Sequence, residues 1–510
     1  MVAKINSIIV HGFEALPICV ETDLLPGQMY TMIVGLADSA VRESRERLRS
    51  AILSSGFQFP IKQIILNLSP AEYQKEGTLC ELAMAAGILV ASGQLPQSVF
   101  QDTILLGALS LDGSIRSSAG QLAAGILARE KFPSTKIITG KESASELSRI
   151  PGIELYAIDT LSDLIRYANG EISALPQTQY IPANSHNGLS FEDIEGNHHQ
   201  KIGLAWAIAG GHHLLMIGPP GSGKTHMARA CENIQPQLSL PESLELTRLH
   251  SLNGTRQMNW IDRRPFRSPH HTASDVALVG GGINPTAGEV TLAQHGILFL
   301  DELLEFRNSA LQALREPMED KQITISRARG KTLLPANFTL IAATNPCKCG
   351  YFSSGIRKCR CNVNAIHKIY EKISGPFLDR IAVELDFTLN RQFQKSNFSD
   401  FDVSTEVLRQ RIAAARHRML KRNNGFLNCR LSFKDLQASL NETKVLQEII
   451  QHFSGQQAMS HRAILQSFRL ARTIADYYAH RQIEESDLIS AFSMRVFHHY
   501  RSQLYSDHAA

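Results

Sequence analysis

One stretch constrains the fold of this chain more than any other: Gly218-Pro219-Pro220-Gly221-Ser222-Gly223-Lys224-Thr225. It follows the apolar run His213-Leu214-Leu215-Met216-Ile217 and precedes the helix-compatible His226-Met227-Ala228-Arg229-Ala230. The order is strand, glycine loop, helix, the context in which G-x-x-x-x-G-K-[ST] cradles phosphate. Gly221 and Gly223 can turn backbone N–H groups toward an anion at a helix N-terminus, where the dipole already favours negative charge. Lys224 can reach β- and γ-phosphates, and the Thr225 hydroxyl can ligate Mg²⁺. All eight residues are therefore candidate nucleotide contacts, with ATP and Mg²⁺ as the expected cofactors. A chance match in a glycine-rich loop is the bland alternative, and a second motif weakens it.

That second motif is Ile297-Leu298-Phe299-Leu300-Asp301-Glu302, an apolar run ending in two carboxylates. A central parallel strand whose carboxyl end opens on a site reads this way. Asp301 would hold Mg²⁺ through water, and Glu302 would orient and polarise an attacking water. An ordinary buried strand ending in a solvated acidic turn is the competing reading.

At 510 residues the chain is too long for a single core, and the length suggests about three domains. A net charge of +4 is too mild to imply a polyanionic partner, so any nucleic-acid surface has to be local. The N-terminus, Met1-Val2-Ala3-Lys4-Ile5-Asn6, lacks an apolar h-region, and no long uncharged apolar run occurs. A cytoplasmic location with no membrane span is expected. Four of the eight cysteines, Cys347, Cys349, Cys359 and Cys361, fall within fifteen residues. Four thiolates can close a tetrahedral, structural Zn²⁺ site. Their C-x-C spacing is tighter than the usual C-x-x-C, and reduced thiols or disulfides stay open as alternatives.

Residues 1–170 alternate strand-like and helix-like segments, with strands expected over 5–10 and 61–68 and a helix over 39–55. A polar, proline-containing linker follows at 171–190, then an α/β core over 191–390 and a helical region over 391–510. The segments Val41-Arg42-Glu43-Ser44-Arg45-Glu46-Arg47, Asn67-Leu68-Ser69-Pro70-Ala71-Glu72, Lys75-Glu76-Gly77 and Leu106-Gly107-Ala108-Leu109-Ser110-Leu111-Asp112-Gly113 resemble the N-terminal domain of the ComM/YifB family of Mg-chelatase-like AAA+ ATPases. That domain is similar in fold to the Lon protease catalytic domain. The Lon serine and lysine positions carry Thr78-Leu79-Cys80 and Ala123-Ala124 here, so the resemblance implies a catalytically inactive N-terminal domain. Cys80, in an apolar helix, reads as packing rather than as a nucleophile.

The resemblance extends over nearly the whole chain and implies an AAA+ P-loop core with a parallel sheet and a C-terminal helical lid. Asn345, ending the strand Phe338-Thr339-Leu340-Ile341-Ala342-Ala343-Thr344, matches the sensor-1 position. Arg380, in Ile373-Ser374-Gly375-Pro376-Phe377-Leu378-Asp379-Arg380-Ile381, resembles the arginine finger that reaches a neighbour's γ-phosphate. Arg462, in Ser460-His461-Arg462, looks like sensor 2, contacting the γ-phosphate of its own chain.

Two basic excursions are candidates for DNA phosphate contacts. One carries Arg263, Arg264 and Arg267. The other is a hairpin tip with Arg327, Arg329 and Lys331 between strand-like runs at 322–325 and 333–340. A solvated basic turn or an intersubunit contact is the plainer account of the first, and a solvated hairpin tip that of the second. His270 and His271 read as loop residues. What the resemblance implies is a homo-hexameric DNA motor promoting branch migration during natural transformation, with recombination proteins as possible partners of the N-terminal domain. A chelatase-type motor remodelling a protein partner is the alternative, and a vestigial protease fold serving as an interaction module is a third reading.

Overall fold

In the computed structural model of the chain the residues described are 2–12, 14–72, 75, 77–182, 188–253, 260–281, 286–327, 330–352, 357–373, 375–387, 402–437 and 459–496, with backbone alone at 39, 40, 326, 327, 330 and 331. They divide into two compact units. The first contains Met1–Pro182 and Leu238–Asp262, and the second contains Ala183–Gln237, Arg263–Ile283 and Ala287–Ala510.

The first unit is built on a seven-stranded mixed sheet. Its strands are β1 (Ala3–His11), β2 (Glu14–Leu25), β3 (Tyr30–Val34), β4 (Gln63–Ser69), β5 (Thr103–Leu106), β8 (Lys136–Gly140) and β9 (Glu154–Ile158), in the order β3-β4-β2-β1-β5-β8-β9. A small antiparallel ribbon joins β6 (Ala108–Leu109) to β7 (Ile115–Arg116). Strand β4 alternates buried Ile64, Leu66 and Leu68 with half-buried neighbours, as expected for a strand that covers a core with one face. The helix Ser39–Ser54 starts where the Asp38 side chain accepts from the Val41 N–H, satisfying one of the donors a helix start leaves open.

Cys80 lies fully in the core at the start of helix Glu81–Ala91, and burial pushes its thiol up to about 12. A thiol so held is not a thiolate nucleophile. Buried Glu81 accepts from Arg47 Nη2 at 2.6 Å and from the Leu109 N–H at 2.7 Å, so this helix start is committed to structure. Ala123 and Ala124 are likewise buried in helix Gln121–Lys131.

One segment of the expected core over 191–390 belongs to this first unit. Residues Leu238–Asp262 leave the second unit, form helix Leu240–Leu252 and return. The helix opens with Pro241 in its first turn and a capping box between Ser239 and Glu242. Its Leu244, together with Trp260, packs into the same core as Leu122, Ile126 and Leu127 of helix Gln121–Lys131. An apolar helix face buries against whichever surface completes it, and sequence adjacency does not choose that surface.

The second unit carries a five-stranded, all-parallel sheet in the order β11 (Phe266–Arg267), β12 (Ile297–Leu300), β15 (Thr339–Thr344), β10 (Leu214–Ile217) and β16 (Val383–Asp386). Strands β10 and β12 are buried at every residue, the pattern of parallel strands covered on both faces. Helices His198–Gly210 and Lys224–Ile234 share the core with the β10, β15 and β16 side chains Leu214, Met216, Ile341 and Leu385. Truncating a side chain such as Phe299, 1% exposed in this core, is worth about 3–5 kcal/mol.

A separate antiparallel hairpin joins β13 (Gln322–Arg327) to β14 (Gly330–Pro335). The run expected as one strand over 333–340 is therefore two: β14 stops at Pro335, and Thr339 begins a strand of the parallel sheet. The helical region contains Thr405–Arg422, Phe433–Gln437, His461–Tyr478 and Glu485–Ser493. Residues 438–458 of the expected helical region lie outside the described residues.

Candidate nucleotide site

Strand β10 delivers residues 218–225 at the carboxyl end of the parallel sheet. Gly221 (φ 73°) and Gly223 (φ 89°) take the left-handed conformation that lets the loop turn its N–H groups inward. Lys224 opens helix Lys224–Ile234 and is only 8% exposed. Its Nζ donates to the carbonyls of Gly218 (2.7 Å) and Pro219 (2.8 Å), and lies 3.2 Å from Asn345 Oδ1. Burial pulls this ammonium down to about 8, with Asp301 acting in the opposite sense. A cation desolvated at this cost is favoured by an arriving phosphate charge.

The remaining groups of this end come from neighbouring strands. Thr225 Oγ1 donates to Asp301 Oδ2 at 2.8 Å, just beyond β12. Two hard oxygen donors so placed suit Mg²⁺. Glu302 has a left-handed backbone (φ 50°), and its N–H bonds back to Asp301 Oδ1 at 3.0 Å. Its carboxylate stays 61% exposed and faces His271 Nδ1 at 3.5 Å. Asn345 follows β15, whose Thr344 pairs with Ile217 of β10.

His271 was a loop residue to sequence reasoning. Parallel pairing of Phe266 and Arg267 with Ile297 and Leu298 carries the segment after β11 alongside the segment after β12, and no local signal announces that pairing. A cleft of about 800 Å³ opens beside these groups, lined by His271, Glu302, Asn345, Lys348, Lys368 and Lys372 among others.

The four cysteines sit immediately beyond Asn345. Their sulfur atoms all lie within 4.8 Å of one another, with Cys347–Cys349 at 3.3 Å, Cys347–Cys359 at 3.7 Å and Cys349–Cys359 at 3.6 Å. A tetrahedron with Zn–S bonds of about 2.3 Å has edges near 3.8 Å, so the donor set fits zinc. No pair is joined as a disulfide. The N–H groups of Phe352, Cys349 and Cys361 point at three of the sulfurs, Cys347, Cys361 and Cys359, from 3.3–3.4 Å. Gly350, with φ 81°, rests on the phosphate loop, where a Cβ would meet Pro220 Cδ at 2.3 Å. The cysteine loop is thus seated against the nucleotide loop.

Arg380 and Arg462 are at the opposite end of the sheet. Arg380 precedes Ala382, whose N–H bonds the carbonyl of His213 at the amino end of β10. From His213 to Ile217 the strand runs about 13 Å before the phosphate loop begins. Arg380 and Arg462 both pair with Glu319, Arg462 Nη2 lying 3.1 Å from Oε1. They line a cavity of about 360 Å³ together with His212 and His213. The expectation that Arg462 contacts its own chain's γ-phosphate is not met in this arrangement, because the lid helix His461–Tyr478 brings it to the amino end beside Arg380.

Two of the basic candidates are committed internally. Arg264 donates to the carbonyls of Pro236 (2.7 Å), Gln237 (3.2 Å) and His295 (2.7 Å). Arg267 makes a two-pronged pair with Glu289 at 2.6 and 2.8 Å. Their forks hold loops in this structure. Arg263 is exposed. Arg327 and Lys331 lie on β13 and β14 beside the turn, with side chains that are not described, and Arg329 lies outside the described residues.

Comparison with known proteins places these elements in one lineage. Residues 20–142 match the family described as subunit ChlI of Mg-chelatase, residues 190–395 match magnesium chelatase, subunit ChlI, and residues 402–495 match its C-terminal part. Over 495 residues the chain is 35% identical to competence protein ComM of Haemophilus influenzae, covering 95% of this chain and 96% of that protein. It is 37% identical over 491 residues to the uncharacterized protein YifB of Salmonella typhimurium, covering 95% of each. The chain belongs to the ComM/YifB family of Mg-chelatase-like AAA+ ATPases. A shorter match, 30% over 203 residues, reaches the human DNA helicase MCM8, covering 37% of this chain and 21% of that one. Membership in the ComM/YifB family makes ATP and Mg²⁺ the cofactor pair that the phosphate-loop end accommodates. Among the described residues no helix is long and apolar enough to cross a membrane.

Proposed function

We propose that this protein is the subunit of an ATP-hydrolysing homo-hexameric ring that moves DNA and promotes branch migration while donor DNA is integrated during natural transformation. The observation that carries the ring is the separation of two half-sites. Lys224, Thr225, Asp301, Glu302 and Asn345 gather at the carboxyl end of the sheet, and Arg380 and Arg462 at the amino end. Phosphoryl transfer needs both sets, and one chain holds them apart, so two copies share each ATP.

Each residue then has a defined task. Lys224 holds the β- and γ-phosphates, Asn345 hydrogen-bonds the γ-phosphate or the water, and Glu302 orients that water and accepts its proton. Thr225 and Asp301 would hold Mg²⁺, which when bound neutralises charge on the phosphoryl oxygens. Arg380 and Arg462 of a neighbouring copy supply cationic donors to the γ-phosphoryl group. The four cysteines would hold a structural Zn²⁺ that braces the loop bearing Gly350 against the phosphate loop.

The DNA part of the reading is supported by what the relatives are called, a competence protein and a DNA helicase. It is also supported by the β13–β14 hairpin, whose paired strand ends carry Arg327 and Lys331, with Arg329 between them in the sequence. Recombination proteins meeting the N-terminal unit, and a cytoplasmic location, complete it. A second reading, a motor remodelling a protein partner, is favoured by the chelatase-subunit matches and by the internal commitment of Arg264 and Arg267.

ATPase rate measured against single-stranded, duplex and four-way-junction DNA separates the two. Stimulation that disappears in Arg380→Ala supports the DNA-driven ring. A rate indifferent to every DNA overturns the DNA reading in favour of the protein-remodelling one.

A further inference from the structure

Glu319 joins the two arginines at the amino end. It is the penultimate residue of helix Arg315–Asp320, two positions before Lys321 turns through a left-handed φ of 57° into β13. Its Oε2 pairs with Arg380 Nη2, and its Oε1 receives Arg462 Nη2 at 3.1 Å. Arg380 also donates Nη1 to the Pro376 carbonyl at 2.5 Å, while its Nε is buried with no acceptor. Arg380 is 11% exposed at the side chain and Arg462 57%. A largely buried guanidinium and an exposed one are thus tied to the two oxygens of one carboxylate. Arg430, Arg469 and Lys321 line the same cavity together with Asp320 and Asp379, so without Glu319 the cations there would outnumber the carboxylates more than two to one.

The helix that carries Glu319 is itself anchored to the sheet. His213 Nδ1 accepts from the Leu340 N–H at 2.9 Å, which leaves its proton on Nε2 to donate to the Met318 carbonyl at 3.2 Å. Burial lowers His213 well below the ordinary histidine value, keeping the ring neutral and this tautomer in place. Glu319 is therefore held next to a fixed point on β10.

We propose that Glu319 is a positioning residue: its carboxylate gathers Arg380 and Arg462 into one two-pronged site for the γ-phosphoryl group of an ATP held by a neighbouring copy. The inference rests on the shared-site reading above. Two oxygens of a carboxylate prefigure two oxygens of a phosphoryl group, and Arg recognises both by the same forked geometry. On docking, the arginines transfer from one anion to the other.

Subunit mixing tests this. Glu319→Gln preserves the side chain's size and removes its charge; it is expected to lower kcat about tenfold or more, with KM for ATP within about twofold of native, because its own phosphate loop is intact. Lys224→Ala, inactive alone, retains normal arginines. Mixed one to one, the two variants form interfaces with a sound phosphate loop facing sound arginines at about a quarter of positions, so turnover returns to about that fraction in a head-to-tail ring.

Arg380→Ala mixed with Lys224→Ala is the control. If both mixtures regain activity, the proposal stands. If only the control does, Glu319 acts on its own chain's nucleotide or on folding, and the proposal is overturned. If neither does, the shared site itself is wrong and the proposal falls with it. Two further measurements guard against a merely structural defect. Glu319→Asp is expected to recover part of the lost kcat, and Glu319→Gln is expected to cost nothing more in an Arg380→Ala, Arg462→Ala background. An additional loss there overturns the positioning role.

Discussion

The two ends of the parallel sheet differ in how they are made. The carboxyl end takes its polar groups from one contiguous loop and from the residues that follow two neighbouring strands, Asp301 and Glu302 after β12 and Asn345 after β15. The amino end has no motif of its own. It is assembled from Glu319, Arg380 and Arg462, the first two 61 residues apart, with Arg462 delivered by a lid helix. One end gathers its groups around a single loop, whereas the other has its donors paired to an internal carboxylate.

Breaking the amino end should have the largest effect. Arg380→Ala is expected to lower kcat by about 10³-fold or more, the range for trans-acting arginines, with ATP binding retained in an equilibrium titration. Full turnover in the variant would dissolve the division of labour between the ends. Glu302→Gln at the carboxyl end should cost about 10²–10⁴-fold in kcat, since it removes the group that accepts the water's proton. Ring assembly with ATP, followed by light scattering, should persist; surviving ATPase activity would remove Glu302 from that role.

The smaller effects sharpen the contrast. Cys359→Ser, or treatment with a strong chelator, is expected to release one zinc per chain, lower the Tm and reduce kcat by less than either change above, because Gly350 would no longer be held on Pro220. Elemental analysis of freshly purified protein that finds no zinc ends that account. His271→Ala is expected to change kcat about fivefold or less. The pair with Glu302 is half-exposed, and such pairs are worth about 1 kcal/mol or less. A loss of several hundredfold would make His271 a direct participant.

How much was legible in advance follows the same division. The α/β class, the strand–loop–helix at 214–234 and the acidic strand end at 297–302 were readable because their chemistry is contiguous and their periodicity local. The strand run over 333–340 was misread as one element because an apolar run carries no mark of which sheet it joins, and Pro335 is where the hairpin ends. Arg264 and Arg267 looked like phosphate contacts because a basic turn has the same composition whether its forks meet solvent, a carboxylate or backbone carbonyls.

The sequence by itself determined the strand–loop–helix at 214–234, the apolar strand that ends in Asp301 and Glu302, and that four cysteines could close on one ion. Each of these rests on residues a few positions apart, whose relative placement follows from the geometry of a loop or a strand end. Only the tertiary structure decided that helix Leu240–Leu252 packs into the first unit, that His271 meets Glu302, and that Glu319 ties Arg380 to Arg462. These depend on strand order, on parallel pairing and on where a lid helix lands, and the energies that settle them are sums over many buried contacts rather than the property of any local stretch.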